Sequence, residues 1–250
     1  MKIRRTAIRL LLFLITLILA YPTDAQSVIT PLAAASNNVQ QKDQRTVDAS
    51  PQLYNGPEYI DYAQRYQVRN GHQFFLLPDK QPGSVYYNDH SFAGLSMQYD
   101  VVLGQLVLQH VTSPLSLHLI NEHVRSFTLA GHHFIRLVTD SSASAVVQTG
   151  YYEVLVDSTV QLLAKRVKQL HEKINQNRIE AEFLPTDKLF IRKAGVYYSV
   201  NKKRSVTQVF SDRSKEVQKY IQDNKLKFKK ARREADIVQL TRYYAGLSPQ

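Results

Sequence analysis

Val124-Arg125-Ser126-Phe127-Thr128-Leu129-Ala130-Gly131-His132-His133-Phe134-Ile135-Arg136-Leu137-Val138 is the stretch that decides the fold class. Phe127 and Leu129 alternate with Ser126 and Thr128, the period of two that gives a strand one core face and one wet face. Ala130-Gly131 breaks the run at a tight turn, and a second apolar run follows at once. Two such runs meeting at a short turn form an antiparallel hairpin.

The same texture extends in both directions. Strands are expected over Gln73–Leu77, Ser84–Tyr87, Phe92–Val102, Gln105–Val111 and Leu115–Ile120 before this hairpin. After it they are expected over Tyr151–Val156, Thr159–Lys165, Ala181–Leu184, Lys188–Arg192, Val196–Val200 and Val206–Phe210. Leu115, Leu117 and Leu119 alternate with Ser116 and His118, and Val196, Tyr198 and Val200 with Tyr197 and Ser199. The predicted class is mainly β, an antiparallel meander that is barrel-like or a sandwich, because so long an open sheet must curl or fold on itself. Arg166–Arg178 stays open: Val167, Leu170, His171 and Ile174 have helical spacing, but a long exposed hairpin connection fits as well. Ser211 or Asp212 can cap a helix on which Val217, Tyr220 and Ile221 recur. After a basic break, Ile237, Leu240, Tyr244 and Leu247 recur at three, four and three, which completes a short C-terminal helical pair.

Ahead of this domain, Lys2, Arg4, Arg5 and Arg9 precede an apolar run from Leu10 to Tyr21 that only Thr16 interrupts. With the small exit Thr23-Asp24-Ala25, residues 1–25 match a secretory signal peptide. The run falls short of the about 20 apolar residues that span a bilayer, and an uncleaved anchor is the alternative. Residues 26–52 show no sustained period and are expected to be a flexible leader, followed by an antiparallel β domain over 53–210 and a basic C-terminal helical segment over 211–250. The expected location is therefore the periplasm, the cell envelope or the exterior, with no transmembrane span after signal cleavage.

Composition narrows the chemistry. The 250 residues hold 32 Lys+Arg against 21 Asp+Glu, 44% hydrophobic residues and no cysteine. That much apolar side chain builds a core, and the missing thiols exclude disulfide scaffolds, thiolate zinc sites and cysteine nucleophiles. Charge is divided unevenly: residues 26–159 carry 7 bases and 11 acids, residues 160–250 carry 21 and 9. The densest block is Lys225, Lys227, Lys229, Lys230, Arg232 and Arg233, with Lys202, Lys203 and Arg204 nearby in sequence. These six are the candidate binding residues for an anionic surface: lipid, lipopolysaccharide or an acidic glycan. An envelope protein is the other expected partner, and a solvated helix junction is the plain alternative. Nucleic acid is not expected, since export removes it and aromatic interleaving is thin.

Catalytic signals are weaker. His110, His118, His123, His132 and His133 cluster in sequence but match no standard metal spacing, so no metal and no cofactor are expected. Asp89-His90-Ser91 is contiguous, and neighbours in a strand point to opposite faces, so it is not a triad. Gly-x-Ser-x-Gly, His-Glu-x-x-His and phosphate-cradling glycine loops are absent from the sequence. The pairs Asp79 with Asp89 and Asp100 with Glu122 leave one catalytic alternative, a periplasmic hydrolase of glycans or esters with Asp, Glu and His in a sheet cleft. The first reading is non-catalytic, a binding or structural component. Tyr86-Tyr87, Tyr151-Tyr152 and Tyr197-Tyr198 should each point one ring inward and one outward.

Tyr54-Asn55-Gly56-Pro57-Glu58-Tyr59, Gly71-His72-Gln73-Phe74-Phe75 and Gly83-Ser84-Val85-Tyr86-Tyr87 are joined by Tyr99-Asp100-Val101 and the terminal Tyr243-Tyr244. This set resembles uncharacterised exported β-rich bacterial envelope proteins. The resemblance implies a stand-alone envelope domain over residues 54–247 and assigns no catalytic residue.

Overall fold

The computed structural model describes residues 51–139, 146–175 and 178–247. The expected signal peptide, residues 26–50 of the expected leader, and residues 248–250 lie outside them. The chain is mainly β. Its strands are β1 Val68–Asn70, β2 Gln81–Tyr87, β3 His90–Asp100, β4 Gln105–Gln109, β5 Ser116–His118, β6 Val124–Leu129 and β7 His132–Leu137. Then come β8 Gly150–Val156, β9 Val160–Lys165, β10 Lys168–Asn175, β11 Arg178–Pro185, β12 Lys188–Lys193 and β13 Val196–Val200. Three helices follow: α1 Lys203–Val209, α2 Ser214–Asp223 and α3 Arg233–Ala245.

Ten strands form one antiparallel sheet in the order β13-β12-β9-β8-β7-β6-β2-β3-β4-β5. The hairpin that opened the sequence reading is β6–β7, with Phe127 opposite Phe134 and their rings stacked at 4.6 Å. The sheet is not closed into a barrel, which removes the barrel form of the expectation. It curls nonetheless. Tyr99 on β3 and Tyr151 on β8 are four strands apart, about 19 Å in a flat sheet, yet their rings lie 5.7 Å apart. The curl wraps one core of Tyr87, Phe92, Tyr99, Phe127, Phe134 and Tyr151. Beyond β8 the same face is covered instead by the helices, in a second core of Leu162, Ile191, Val206, Phe210, Val217, Ile237 and Leu240.

Two local expectations are corrected and one open stretch is decided. Gln73–Leu77 makes a single bridge, Phe74 with Asp100, because Leu76 takes a left-handed backbone (φ 54°) that ends pairing. Val206–Phe210 is the end of helix α1 and its cap rather than a strand. Val206 and Phe210 are fully buried four residues apart, and the Ser205 hydroxyl accepts from the Lys202 N–H at the helix start. The stretch left open, Arg166–Arg178, takes its hairpin alternative: β10 and β11 form a hairpin inserted between neighbouring strands β9 and β12, with β1 added parallel to β11. A backbone bond from Thr186 N–H to the Val167 carbonyl closes its neck. Cross-strand partners override the helical spacing here: Leu170 meets Phe183, and Glu172 accepts from both Arg65 and Tyr66.

Phe134 is fully buried at the centre of the ring cluster, against Phe75, Tyr99 and Phe127. Phe134→Ala should cost about 3–5 kcal/mol in urea denaturation, while Tyr198→Ala on the exposed edge strand should stay within about 0.5 kcal/mol.

Candidate functional site

The basic block occupies the connection between α2 and α3, and the way that connection is built decides what its charges can do. Helix α2 ends in a double-bonded reversal: the Leu226 N–H reaches the Ile221 carbonyl and the Lys225 N–H reaches that of Gln222. Lys225 takes the left-handed position (φ 52°) that glycine usually fills. From there the chain alternates. Leu226 and Phe228 are buried in the helical core, while Lys225, Lys227 and Lys229 are exposed between and beside them. Lys230 and Arg232 follow, also exposed, on a short 3-10 turn. Arg233 differs from the other five: it is half-buried and its Nε is a buried atom without a hydrogen-bond partner among the described residues.

Three carboxylates lie beside the block in sequence: Asp223 at the end of α2 stays exposed and makes no ion pair among the described residues, while the two on α3 turn inward. Asp236, buried, accepts from the backbone N–H of Lys227 (3.1 Å) and Phe228 (2.7 Å), so it pins the loop rather than neutralising it. Glu234 forms a two-point bond with Arg166 (2.7 and 2.8 Å). Among the described residues, Lys225, Lys227, Lys229, Lys230 and Arg232 consequently make no ion pair. Lys202, Lys203 and Arg204 are exposed at the start of α1.

Arg166 is the hub behind this arrangement. It binds Glu153 through Nε (2.6 Å) and Asp187 and Glu234 through its terminal nitrogens. Its side chain is only 12% exposed, and Glu153 is buried, also accepting from His132 Nδ1 at 2.5 Å. Burial pulls the guanidinium down, but the hydrogen bond to Glu234 and the Glu153 charge outweigh it and hold the group charged.

The other chemical candidates are spent structurally. Asp100, fully buried, accepts from Tyr59 (2.8 Å), Tyr62 and the N–H groups of Val102 and Leu103, and so shapes the β3–β4 turn. Burial raises its carboxyl above the usual range, against those hydrogen bonds. Glu122 is on a separate turn after β5. Asp79 and Asp89 flank opposite ends of strand β2. Asp89, in the β2–β3 turn, pairs with Arg125, while His90 and Ser91 open strand β3 and His90 donates to the Asn88 carbonyl. The histidines are dispersed: His110 packs on Tyr54, His123 on Tyr87, His132 on Phe75, and no group among the described residues can hold a metal ion.

The tyrosine pairs divide. Tyr87 is buried while Tyr86 sits under Arg125, but on edge strand β13 Val196 and Tyr198, which share the face of buried Val200, are exposed, and Tyr197 packs on the other face with Phe190 and Tyr152. Tyr151 and Tyr152 are both buried, because β8 is covered on both faces. Tyr243 stacks on Tyr220 at 3.9 Å and Tyr244 on Phe210 at 4.0 Å, fastening α3 to α2 and to the end of α1. Asp212, expected as a cap, instead takes Lys193 and the Tyr244 hydroxyl. Burial opposes its ionisation, but those two bonds keep its carboxyl below the usual range. Compared with known protein families, with curated proteins and with solved structures, the chain matches none.

Because Lys225 holds a left-handed backbone, Lys225→Gly should raise stability by about 1 kcal/mol in thermal or urea unfolding. Lys225→Ala, which removes the same charge without relieving the backbone, should bring no such gain.

Proposed function

We propose that this protein is exported to the cell envelope, where it acts as a non-catalytic binding component that docks on an anionic surface through its basic C-terminal segment. One observation carries the reading. Folding turns Glu234 and Asp236 away from the block, so five bases between Lys225 and Arg232 stand exposed without carboxylate partners among the described residues. The pinned, alternating backbone presents them on a fixed scaffold, so little side-chain and loop entropy is lost on contact. Each base near an anionic membrane contributes on the order of 1 kcal/mol, together enough for about 10³-fold enrichment at low salt. The attraction falls off within a Debye length of about 8 Å at physiological ionic strength.

Export rests on the basic-then-apolar segment from Lys2 to Tyr21. No helix among the described residues is long and apolar enough to cross a membrane, which agrees with docking rather than a helical span. The carboxylates and histidines that a hydrolase needs are engaged with tyrosines, backbone amides or Arg166, which favours binding over catalysis.

Vesicle co-sedimentation tests the reading. The protein should bind phosphatidylglycerol-containing vesicles and not neutral phosphatidylcholine ones. Replacing Lys225, Lys227, Lys229, Lys230 and Arg232 by Gln should weaken binding by about 100-fold or more, and high salt should do the same to the unmodified protein. Equal binding to neutral vesicles, or binding that the five substitutions leave intact, would refute it.

A further inference from the structure

The curl of the sheet leaves a cavity at one end. Where the β3–β4 turn passes over the ends of β7, β8 and β9, a space of about 410 Å³ remains, within the range of small-molecule sites. Its charge is one-sided: Arg136, Lys165, Arg166 and Lys188 line it against a single carboxylate, Glu122. Arg166 is already matched by three carboxylates. Arg136 has only a loose contact with Glu122, and Lys165 and Lys188 make no ion pair among the described residues.

Arg136 is the telling one. It lies on the inner face of β7, opposite Tyr151, and its side chain is only 15% exposed. Its nearest carboxylate, Glu122, is 71% exposed and 3.8 Å away, beyond hydrogen-bond distance. Among the described residues its guanidinium makes no hydrogen bond. Its donors are open to the cavity rather than sealed from solvent, and the natural complement of such a fork is an oxyanion. Lys165 and Lys188 supply the second sign of vacancy. They sit directly opposite each other in the β9–β12 register, a like-charge pair that destabilises a sheet unless something negative lies between. Burial, and then Lys188, pulls the Lys165 amine below its usual range. Lys165 has only a 3.5 Å contact with Gln148 and the Tyr152 ring as partners.

We infer that this cavity is a binding site for a small dianionic ligand of the phosphate-monoester class, with Arg136 as the anion fork and Lys165 and Lys188, which line the same cavity from the opposite face of the sheet, as flanking charges. The volume exceeds that of a bare phosphate and leaves room for an attached group of about sugar size. This site is separate from the basic loop and does not depend on the docking reading.

Calorimetric titration with inorganic phosphate and with glycerol 3-phosphate, at constant ionic strength with chloride as the control anion, tests it. The protein should bind both probes saturably, and glycerol 3-phosphate more tightly. Arg136→Gln and the double substitution Lys165→Gln, Lys188→Gln should each weaken binding by about tenfold or more, while the five-fold loop variant should bind as the unmodified protein does. Should Arg136→Gln fail to fold, the two-lysine variant, on an exposed and a half-buried position, decides alone. Absence of saturable binding, binding unchanged in the cavity variants, or loss of binding in the loop variant would overturn the assignment.

Discussion

The Arg166 guanidinium ties helix α3 to strands β8 and β12 of the sheet. It reaches from the corner after β9 to Glu153 on β8, to Asp187 at the start of β12, and to Glu234 at the start of α3. Burying one cation among three carboxylates is expensive relative to an apolar contact of the same size, and its value is specificity rather than net stability. Here the specificity is positional. The bond to Glu234 sets how α3 enters, and with it the direction in which the preceding connection faces. Glu153 is buried so deeply that it would stand as an unpaired charge without Arg166 and His132.

From that constraint the layout of charge follows. Asp223, Glu234 and Asp236 bracket six bases along residues 223–236, and in an unfolded chain they would partly cancel. Folding sorts them. Glu234 goes to the hub, Asp236 to two backbone amides, and Leu226 and Phe228 into the helical core. The lysines between are left on the outside. A charged surface is thus produced by inward pairing of its own counter-charges, a product of tertiary structure that net charge alone does not describe.

Much of the sheet was legible because its strands have one wet face. Phe127 and Leu129, or Leu162 and Ala164, are on the buried face and the turns between runs are short. Legibility failed where a partner from elsewhere decided the outcome. Residues 167–174 carry helical spacing, yet β11 and Glu172's bonds to Arg65 and Tyr66 make them a strand. Val206–Phe210 looks β-branched and extended, and its four-residue spacing of fully buried side chains was the better signal. The basic block was visible as composition, but its independence from Glu234 was not, since Arg166 lies 68 residues away. A signal for both the hub and the cavity did exist. His132 and Arg136 share the apolar face of β7 with Phe134, and Glu153 shares that of β8 with Tyr151. Charged or ionisable residues on the buried face of a strand require partners, even when the sequence does not say which.

The account turns on Arg166 and Glu234 acting as one unit, and a double-mutant cycle measures that directly. Unfolding free energies of the parent, Arg166→Met, Glu234→Gln and the double variant should show a coupling of about 1–2 kcal/mol, as expected for a two-point pair with a buried guanidinium and a part-exposed carboxylate. Additive effects, within about 0.3 kcal/mol, would mean that Glu234 is not held by the hub and that the orientation of the basic connection has another origin.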